Sequence, residues 1–299
     1  MNDRTVIIIV GPTAVGKTAA AVRLAQQIST SIISADSRQC FKELDIGVAK
    51  PSPEELSAVH HYFINSHSIN EDVTAATFEG LALQWTEDIF RQQEASGKSA
   101  RAVMVGGTGL YIKAFTEGLD TIPPIDPDVR TKIQDMYGQH GLEWLQEQIK
   151  ITDPAFFHTG EIMNPQRLMR ALEVRQSTGQ SILFFRGQQR AQRPFQIKKI
   201  GLSLPKDLLH QRIGQRVDQM MEAGLLREAK ALLPYRSLNA LATVGYSELF
   251  DHLDGKLTLQ EAVENIKMNT RRYAKRQMTW FRRDPTVEWV DASDFYNSL

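Results

Sequence analysis

The stretch that decides the fold is TVIIIVGPTAVGKT, residues 5–18, in which an apolar run leads directly into a glycine-bounded loop. The apolar run shows no two-residue alternation, which is typical of a strand covered on both faces. The loop ends in Gly16, Lys17 and Thr18, the pattern of a phosphate-binding loop between a strand and a helix. The first interpretation is therefore a nucleotide-binding protein, such as an ATP-dependent kinase or an ATPase.

The loop has the groups that hold phosphate. Its backbone amides are expected to point into one concavity, and the helix that begins near Lys17 adds the positive end of its dipole. Lys17 adds a mobile charge, and the hydroxyl of Thr18 is suited to binding Mg²⁺. We predict that the phosphate site is formed by consecutive residues: Gly11, Pro12, Thr13, Ala14, Val15, Gly16, Lys17 and Thr18.

Outward from this loop, short apolar runs alternate with helical patterns. The runs SIISAD (31–36) and RAVMVGG (101–107) read as strands, and TFEGLALQWTEDIFRQQEAS (77–96) reads as a helix. This alternation predicts an α/β fold, in which a P-loop-type parallel sheet is flanked by helices.

The pattern changes at GLDTIPPIDPD (118–128), where prolines and aspartates break regular structure. From residue 129 to about 185 the pattern is helical. IKKIGLSL (197–204) then reads as a strand that rejoins the sheet, and one amphipathic helix is predicted over 206–233. We predict a helical insertion domain at 122–195 within a core formed by 1–121 and 196–299.

Charge and composition restrict the function. The 299 residues contain 35 basic and 35 acidic side chains, so nucleic acid can be attracted only by local clusters. Cys40 is the single cysteine, which excludes an internal disulfide and suits a reducing compartment. No apolar stretch is long enough to cross a bilayer. We expect a cytoplasmic protein with no membrane partner.

A strand-end carboxylate is missing where a kinase or ATPase normally has one. RAVMVGG ends in glycines, and Asp36 is the only acid at the end of a neighbouring strand. Asp36 could hold magnesium or act as a base on an acceptor. A small-molecule kinase therefore stays open as an alternative, whereas a GTPase relative is disfavoured because the sequence has no NKxD motif, which reads guanine.

Seven motifs together resemble the tRNA dimethylallyltransferases. They occur in the order GPTAVGKT, SADSRQ, LDIGVAKP, VMVGGTGLY, RLMRALEV, VGYSEL and RRYAKRQMTWFRR, between residue 11 and about 283. The single cysteine cannot form the zinc finger of the eukaryotic relatives, so the resemblance is to the bacterial type.

The resemblance implies transfer of a prenyl group from dimethylallyl diphosphate to tRNA. The acceptor would be N6 of the adenosine 3′ of the anticodon, in tRNAs that read codons starting with U. It also implies Mg²⁺ as the cofactor and the tRNA anticodon stem-loop as the partner. No obligate protein partner is expected, and a monomer is the default.

The same resemblance assigns roles at the reaction centre. Asp36 matches the family's catalytic aspartate, although the residues alone equally allow a turn cap. Lys17 and Thr18 would bind the diphosphate together with an arginine from the later helix. Arg212 and Arg216 lie four residues apart on one helix face, and we favour Arg216. Thr108, on a glycine turn, would contact the base.

A basic strip predicts how a neutral protein holds tRNA. KMNTRRYAKRQMTWFRR (267–283) carries seven positive charges and no carboxylate, with aromatic residues interleaved. Arginines of PQRLMR (165–170) would grip the loop as part of the insertion. The predicted tRNA contacts are Asp36, Ser37, Arg38, Gln39, Thr108, Arg130, Gln166, Arg167, Leu168, Arg170, Gly245, Tyr246, Lys275, Arg276, Gln277, Trp280 and Arg282.

Overall fold

The computed structural model describes residues 4–187 and 190–298, and its contacts divide the chain into two compact units. The larger unit comprises Met1–Glu117 and Gln192–Leu299, and the smaller comprises Gly118–Ala191. The end of the smaller unit precedes the predicted boundary at 195 because Arg193 and Phe195 pack in the larger one. Arg193 Nε donates to the carbonyl of Phe115 over 2.7 Å, and the Phe195 ring stacks on Phe115.

A six-stranded parallel sheet forms the centre of the larger unit, which confirms the predicted fold class. Its order is β3-β2-β4-β1-β5-β6, with every pairing parallel. The strands are β1 (Thr5–Val10), β2 (Ile32–Ser34), β3 (His61–Tyr62), β4 (Arg101–Val105), β5 (Gln196–Ser203) and β6 (Val287–Asp291). The predicted return strand is β5, which pairs with β1. The edge strands β3 and β6 were not predicted, because both are short and only partly apolar.

Helices flank the sheet and make up the smaller unit. They are α1 (Lys17–Gln27), α2 (Pro53–Ala58), α3 (Ala75–Ala95), α4 (Gly109–Glu117), α5 (Pro127–Thr152), α6 (Pro154–Thr159), α7 (Pro165–Thr178), α8 (Ile182–Phe185), α9 (Lys206–Ala223), α10 (Leu225–Leu232), α11 (Tyr246–Leu253), α12 (Leu259–Phe281) and α13 (Ala292–Ser298). The single helix predicted over 206–233 is wrong, because Gly224 has φ 106° and separates α9 from α10. No helix in the described ranges is both long and apolar enough to cross a membrane.

Apolar cores lie on both faces of the sheet. Ile8 of β1 packs in a cluster with Phe78 and Phe115, whereas the neighbouring Ile9 packs in a cluster with Val15 and Leu202. Burial on both faces explains why the strand has no two-residue alternation. The sheet is thus a rigid support for the loops that follow its strands.

The smaller unit has a core of its own between α5 and α7. Ile133, Leu145 and Leu168 are among its fully enclosed side chains. α5 is interrupted at Gly141, whose φ of 71° breaks the helical path. This separate core lets the segment fold as a compact helical unit.

Candidate active site

A cavity of about 660 Å³ opens at the carboxyl ends of the central strands. The ends of parallel strands meet at one edge of a sheet, so the residues that follow β1, β2 and β4 converge there. The sequence-predicted residues that line it are Thr13, Ala14, Gly16, Lys17, Thr18, Asp36, Gln39, Arg216 and Gln277. The structure thus brings together the phosphate loop, the aspartate and one arginine from α9.

The phosphate loop depends on backbone geometry. Gly11 has φ 145°, and a Cβ there would lie 2.6 Å from the carbonyl oxygen of Leu202. Lys17 Nζ donates to the carbonyl of Pro12 over 2.8 Å. Gly11, Pro12 and Val15 do not line the cavity, and the Val15 side chain is fully buried in the core. Their predicted contribution to phosphate binding is therefore not made by their side chains.

Three cations line this cavity without an acidic partner in ion-pair contact among the described residues: Lys17, Arg216 and Lys50, whose Nζ donates to the Phe41 carbonyl and Asn65 Oδ1. The pKa of Lys17 is lowered to about 7, first by burial and then by the nearby charge of Arg216, while Asp36 acts in the opposite direction. Burial likewise lowers the pKa of Arg216, whose Nη1 donates to Thr13 Oγ1 over 3.2 Å. A multiply charged anion would satisfy both groups. Arg212 is exposed and does not line the cavity, so the geometry favours Arg216.

Asp36 caps a turn, one of the interpretations that the sequence left open, and its catalytic role stays a prediction. Its Oδ1 accepts the backbone N–H groups of Arg38 at 2.9 Å and Gln39 at 3.3 Å, as a turn cap does. Oδ2 has no hydrogen-bond partner within residues 4–187 and 190–298. Asp36 also lines the cavity with Lys17 and Thr18. The turn therefore orients the carboxylate and leaves one oxygen available for a proton.

Thr108 forms hydrogen bonds with this turn and is not part of the cavity lining. Its Oγ1 accepts the N–H of Ser37 at 3.0 Å, and its own N–H donates to the carbonyl of Ala35 at 3.2 Å. A Cβ at Gly106 would lie 2.2 Å from that same carbonyl oxygen, so the backbones approach closely. Thr108 does not line the cavity. Thr108 therefore positions the segment that carries Asp36, and its contact with the base stays a prediction.

Gln277 is an internal bridge between two segments of the site, and its contact with RNA stays a prediction. Its side chain is only 6% exposed. Oε1 accepts the N–H of Thr13 at 2.8 Å, and Nε2 donates to the carbonyl of Gly107 at 3.0 Å. A Cβ at Gly107 would lie 2.1 Å from this Nε2. One amide of α12 therefore ties the phosphate loop to the turn after β4.

Burial corrects further predicted RNA contacts. Tyr246 and Leu168 are completely buried, and Gly245 is buried as well. Gln39 lines the cavity, but its Nε2 donates to the carbonyls of Val48 and Ala49. The side chains of Tyr246 and Leu168 therefore pack inside the protein, whereas Gln39 is partly exposed in the cavity.

The exposed part of the basic strip lies on α12 and just beyond it. Arg271, Arg272, Lys275, Arg276 and Arg282 are exposed, and none forms an ion pair with the described residues. Trp280 is 38% exposed among them. Two aromatic residues of the strip turn inward: Phe281 is buried in the core, and Tyr273 lines the cavity, where burial raises its pKa to about 12.

Three arginines of the smaller unit that were predicted to contact tRNA are paired with carboxylates. Arg130 and Arg170 both contact the carboxylate of Glu173, at 3.7 and 3.3 Å, and Arg167 pairs with Glu161. Gln166 of the smaller unit is exposed, and Ser37 and Arg38 of the larger unit are partly exposed. Glu173 belongs to the motif RLMRALEV and Glu161 precedes it, but which arginines they contact depends on how the chain folds.

The segment from residue 45 to 53 also lines the cavity, although only its motif was noted in the sequence. Ile46, Val48 and Pro51 are its larger apolar side chains, and the polar Asp45, Lys50 and Ser52 line the cavity as well. The motif LDIGVAKP was the signal that could have identified it, since its spacing places a glycine between two apolar residues.

Comparisons with known proteins agree with one another. A family model described as IPP transferase matches residues 39–284. A tRNA dimethylallyltransferase of Christiangramia forsetii is 45% identical over 283 residues, covering 95% of this chain and 92% of that protein. The structure of the full-length tRNA isopentenylpyrophosphate transferase from Bacillus halodurans matches with a TM-score of 0.70 and 36% identity, covering 99% of this chain and 95% of that chain. A structure of a eukaryotic dimethylallyltransferase acting on tRNA matches with a TM-score of 0.78 and 26% identity, covering 97% of this chain and 74% of that chain.

Proposed function

The chain belongs to the IPP transferase family, and from this premise we propose that it is a tRNA dimethylallyltransferase. It transfers the dimethylallyl group from dimethylallyl diphosphate to N6 of the adenosine 3′ of the anticodon, in tRNAs that read codons starting with U. The observation that carries this proposal is one cavity that holds Lys17 and Arg216 together with the carboxylate of Asp36. The kinase alternative has no counterpart in the relatives reported above.

The cations of the cavity suit a diphosphate that departs. Negative charge accumulates on the leaving group as its bond to carbon breaks, and preorganised donors stabilise that charge most. Lys17, Arg216 and the amides of the loop are fixed before the ligand binds, through the contacts to Pro12 and Thr13. The site therefore needs little rearrangement during the reaction.

Asp36 is the base in this proposal. The lone pair of the adenine N6 attacks C1 of the prenyl group, the C–O bond to diphosphate breaks, and the proton on N6 passes to the carboxylate. Oδ2 accepts the proton, because Oδ1 is held by the turn. Exposed cations and Trp280 on α12 bind the anticodon loop, and the target base leaves its stack to reach the cavity.

Mg²⁺ fits the oxygen groups of this site. Thr18 lines the cavity beside Asp36, and Mg²⁺ commonly combines few protein oxygens with phosphate oxygens and water. Thr18 would contribute the hydroxyl ligand, and the bound ion would supply further positive charge to the diphosphate. A monomer in the cytoplasm is part of the proposal, and the single cysteine supports the reducing location.

A transfer assay tests the function directly. Undermodified tRNA is incubated with dimethylallyl diphosphate and Mg²⁺, and the digested nucleosides are analysed by mass spectrometry. We expect adenosine to gain the mass of one dimethylallyl group, and ATP to be left intact in a parallel reaction. Phosphate release from ATP without any prenylated adenosine would support the kinase instead.

Asp36→Asn tests the role of the carboxylate in the same assay. The amide can still cap the turn through its oxygen, but it cannot accept the N6 proton. We expect transfer to be abolished and tRNA affinity, measured by filter binding, to stay nearly unchanged. A large loss of tRNA affinity would show that Asp36 is structural.

A further inference from the structure

One wall of the cavity contributes most of its apolar side chains. It is formed by the segment 45–53, which contributes Ile46, Val48, Ala49, Pro51 and Pro53 beside the polar Asp45, Lys50 and Ser52, and by Met220 and Ala223 of α9. The phosphate loop and the aspartate line the cavity with polar and charged groups. A ligand with a charged end and a hydrocarbon end would therefore find a matching surface at each end.

The carboxylate of Glu228, on α10, binds the backbone of this wall. Its Oε2 accepts the N–H of Ile46 at 2.8 Å, and its Oε1 accepts the N–H of Gly47 at 2.9 Å. Two adjacent amides on one carboxylate are a strong arrangement, since hydrogen bonds to a charged acceptor exceed neutral ones. Glu228 does not line the cavity, so it acts on the wall from behind.

Tyr246 completes the arrangement behind the wall. Its hydroxyl donates to Oε1 of Glu228 at 2.5 Å, and burial beside that carboxylate raises the pKa of Tyr246, so the phenol keeps its proton. A Cβ at Gly47 would lie 2.5 Å from Cζ of the Tyr246 ring. The segment therefore approaches the ring as closely as a glycine allows.

Gln39 holds the next residues of the same segment from the side of the catalytic turn. Its Nε2 donates to the carbonyls of Val48 at 3.2 Å and Ala49 at 2.9 Å. Its Oε1 accepts the hydroxyl of Ser34 at 3.3 Å. The side chains of Glu228 and Gln39 thus bind backbone groups of four consecutive residues, 46 to 49. These hydrogen bonds restrict movement of the wall away from the cavity.

We propose that Glu228 is a positioning residue that, with Tyr246, fixes the segment 45–53 as the wall against which the hydrocarbon of the prenyl donor packs, and thereby limits the donor's chain length. The inference rests on the proposed function for the identity of the donor. The reacting groups are not touched by Glu228, so its effect is on donor binding and selectivity rather than on the chemical step.

Variants of these two residues test the inference. Glu228→Gln leaves one acceptor oxygen and places an NH₂ donor near a backbone N–H, and Tyr246→Phe removes only the hydroxyl. Glu222→Gln, at an exposed glutamate of α9, is the matched control. For Glu228→Gln we expect the KM for dimethylallyl diphosphate to rise about tenfold, the scale of one lost hydrogen bond to a charged group, with a smaller change in kcat.

Two ligands distinguish an effect on the wall from an effect on the phosphate site. Inorganic diphosphate has no hydrocarbon, so its Kd, measured by calorimetry, should change less than about twofold. Geranyl diphosphate is longer by one isoprene unit, and its kcat/KM relative to the five-carbon donor should rise in both variants. Unchanged donor KM and unchanged donor selectivity in folded variants would overturn the inference.

Hydrogen exchange gives a readout that does not need catalysis. If Glu228 holds the segment, the amides of Ile46 and Gly47 should exchange at least about tenfold faster in Glu228→Gln, while those of β1 keep their protection. Equal exchange in variant and unmodified protein would contradict the positioning role. If the unmodified protein transfers no prenyl group but exchange still accelerates, the proposed function fails and the positioning role stands.

Discussion

Lys17 and Lys275 carry the same side chain into two different electrostatic environments. Lys17 lies in the cavity beside Arg216, where burial lowers its pKa to about 7. Lys275 lies exposed on α12, among arginines that form no ion pair with the described residues. Burial shifts the pKa of a charged group and strengthens its interaction with a charged ligand, and salt screens it little. An exposed charge keeps a pKa near its ordinary value, but salt screens its interactions strongly. The cavity should therefore respond to pH, and the strip to ionic strength.

Removing the cavity lysine should have the largest effect. Lys17→Met deletes a preorganised cation at the leaving group, and the loss of one such donor typically costs about 10²- to 10³-fold in kcat. Single-turnover transfer with saturating tRNA measures this change. Fluorescence titration should show tRNA affinity within about twofold, because Lys17 does not reach the exposed strip. A large loss of tRNA affinity would end the distinction between the two regions.

Removing charge from the strip should weaken tRNA binding by about tenfold at low salt. Each lost phosphate contact removes about one unit from the slope of log affinity against log salt concentration, so Lys275→Ala with Arg276→Ala should flatten it by about two. Filter binding between low and moderate salt measures the slope.

The matched control for the strip is Arg91→Ala with Lys98→Ala. Both residues are exposed, and Lys98 shortly precedes Arg101, the first residue of β4, at the edge opposite the cavity. This pair removes the same charge, so its slope should stay unchanged. Equal slopes for the strip variant and the unmodified protein would remove the strip from the interface.

Donor binding should depend on pH through Lys17, with about a fivefold effect per unit just above pH 7. A bound diphosphate raises the pKa of Lys17 from its free value of about 7. Below pH 7 the lysine is already protonated. Above it, binding takes up a proton, and affinity falls as pH rises.

Calorimetry at pH 8 in two buffers with different ionisation enthalpies measures this uptake, which should be close to one proton. Lys17→Arg is the control, since arginine stays protonated. The same uptake in the control would assign the proton to another group.

The arginines of the smaller unit should show the smallest effect. Arg167 and Arg170 are already paired with Glu161 and Glu173, so much of their charge is neutralised locally. Arg167→Ala with Arg170→Ala should lower tRNA affinity by about two- to threefold, less than the strip variant. Glu161→Gln should raise affinity slightly, because it releases an arginine. A loss as large as that of the strip would show that pairing does not weaken these contacts.

Much of the site was predictable because its residues follow strands. The loop after β1 and the turn after β2 were recognised from their sequences, and parallel pairing brings such segments to one edge. Arg216 was favoured over Arg212 from the resemblance, but the sequence alone did not exclude Arg212, since both lie on one helix face. Only packing shows that Arg216 enters the cavity.

The burial of several predicted RNA contacts could not be predicted from the sequence. Gln277, Tyr246 and Leu168 belong to motifs that resemble the family, but a motif does not show whether a residue faces inward. Gln277 bridges Thr13 and Gly107, and Tyr246 supports Glu228. Residues far apart in the chain determine these roles, and their spacing in sequence carries no information about them.

The amino-acid sequence by itself determined the parallel sheet, the phosphate loop and the basic strip, because local hydrophobic pattern and glycine placement specify them. The tertiary structure alone decided which charges are buried, which are paired and which face the solvent. It also decided that Glu228 holds the apolar wall. These properties depend on contacts between segments that are distant in the sequence. Such contacts form, and contribute to stability, only when the chain is folded.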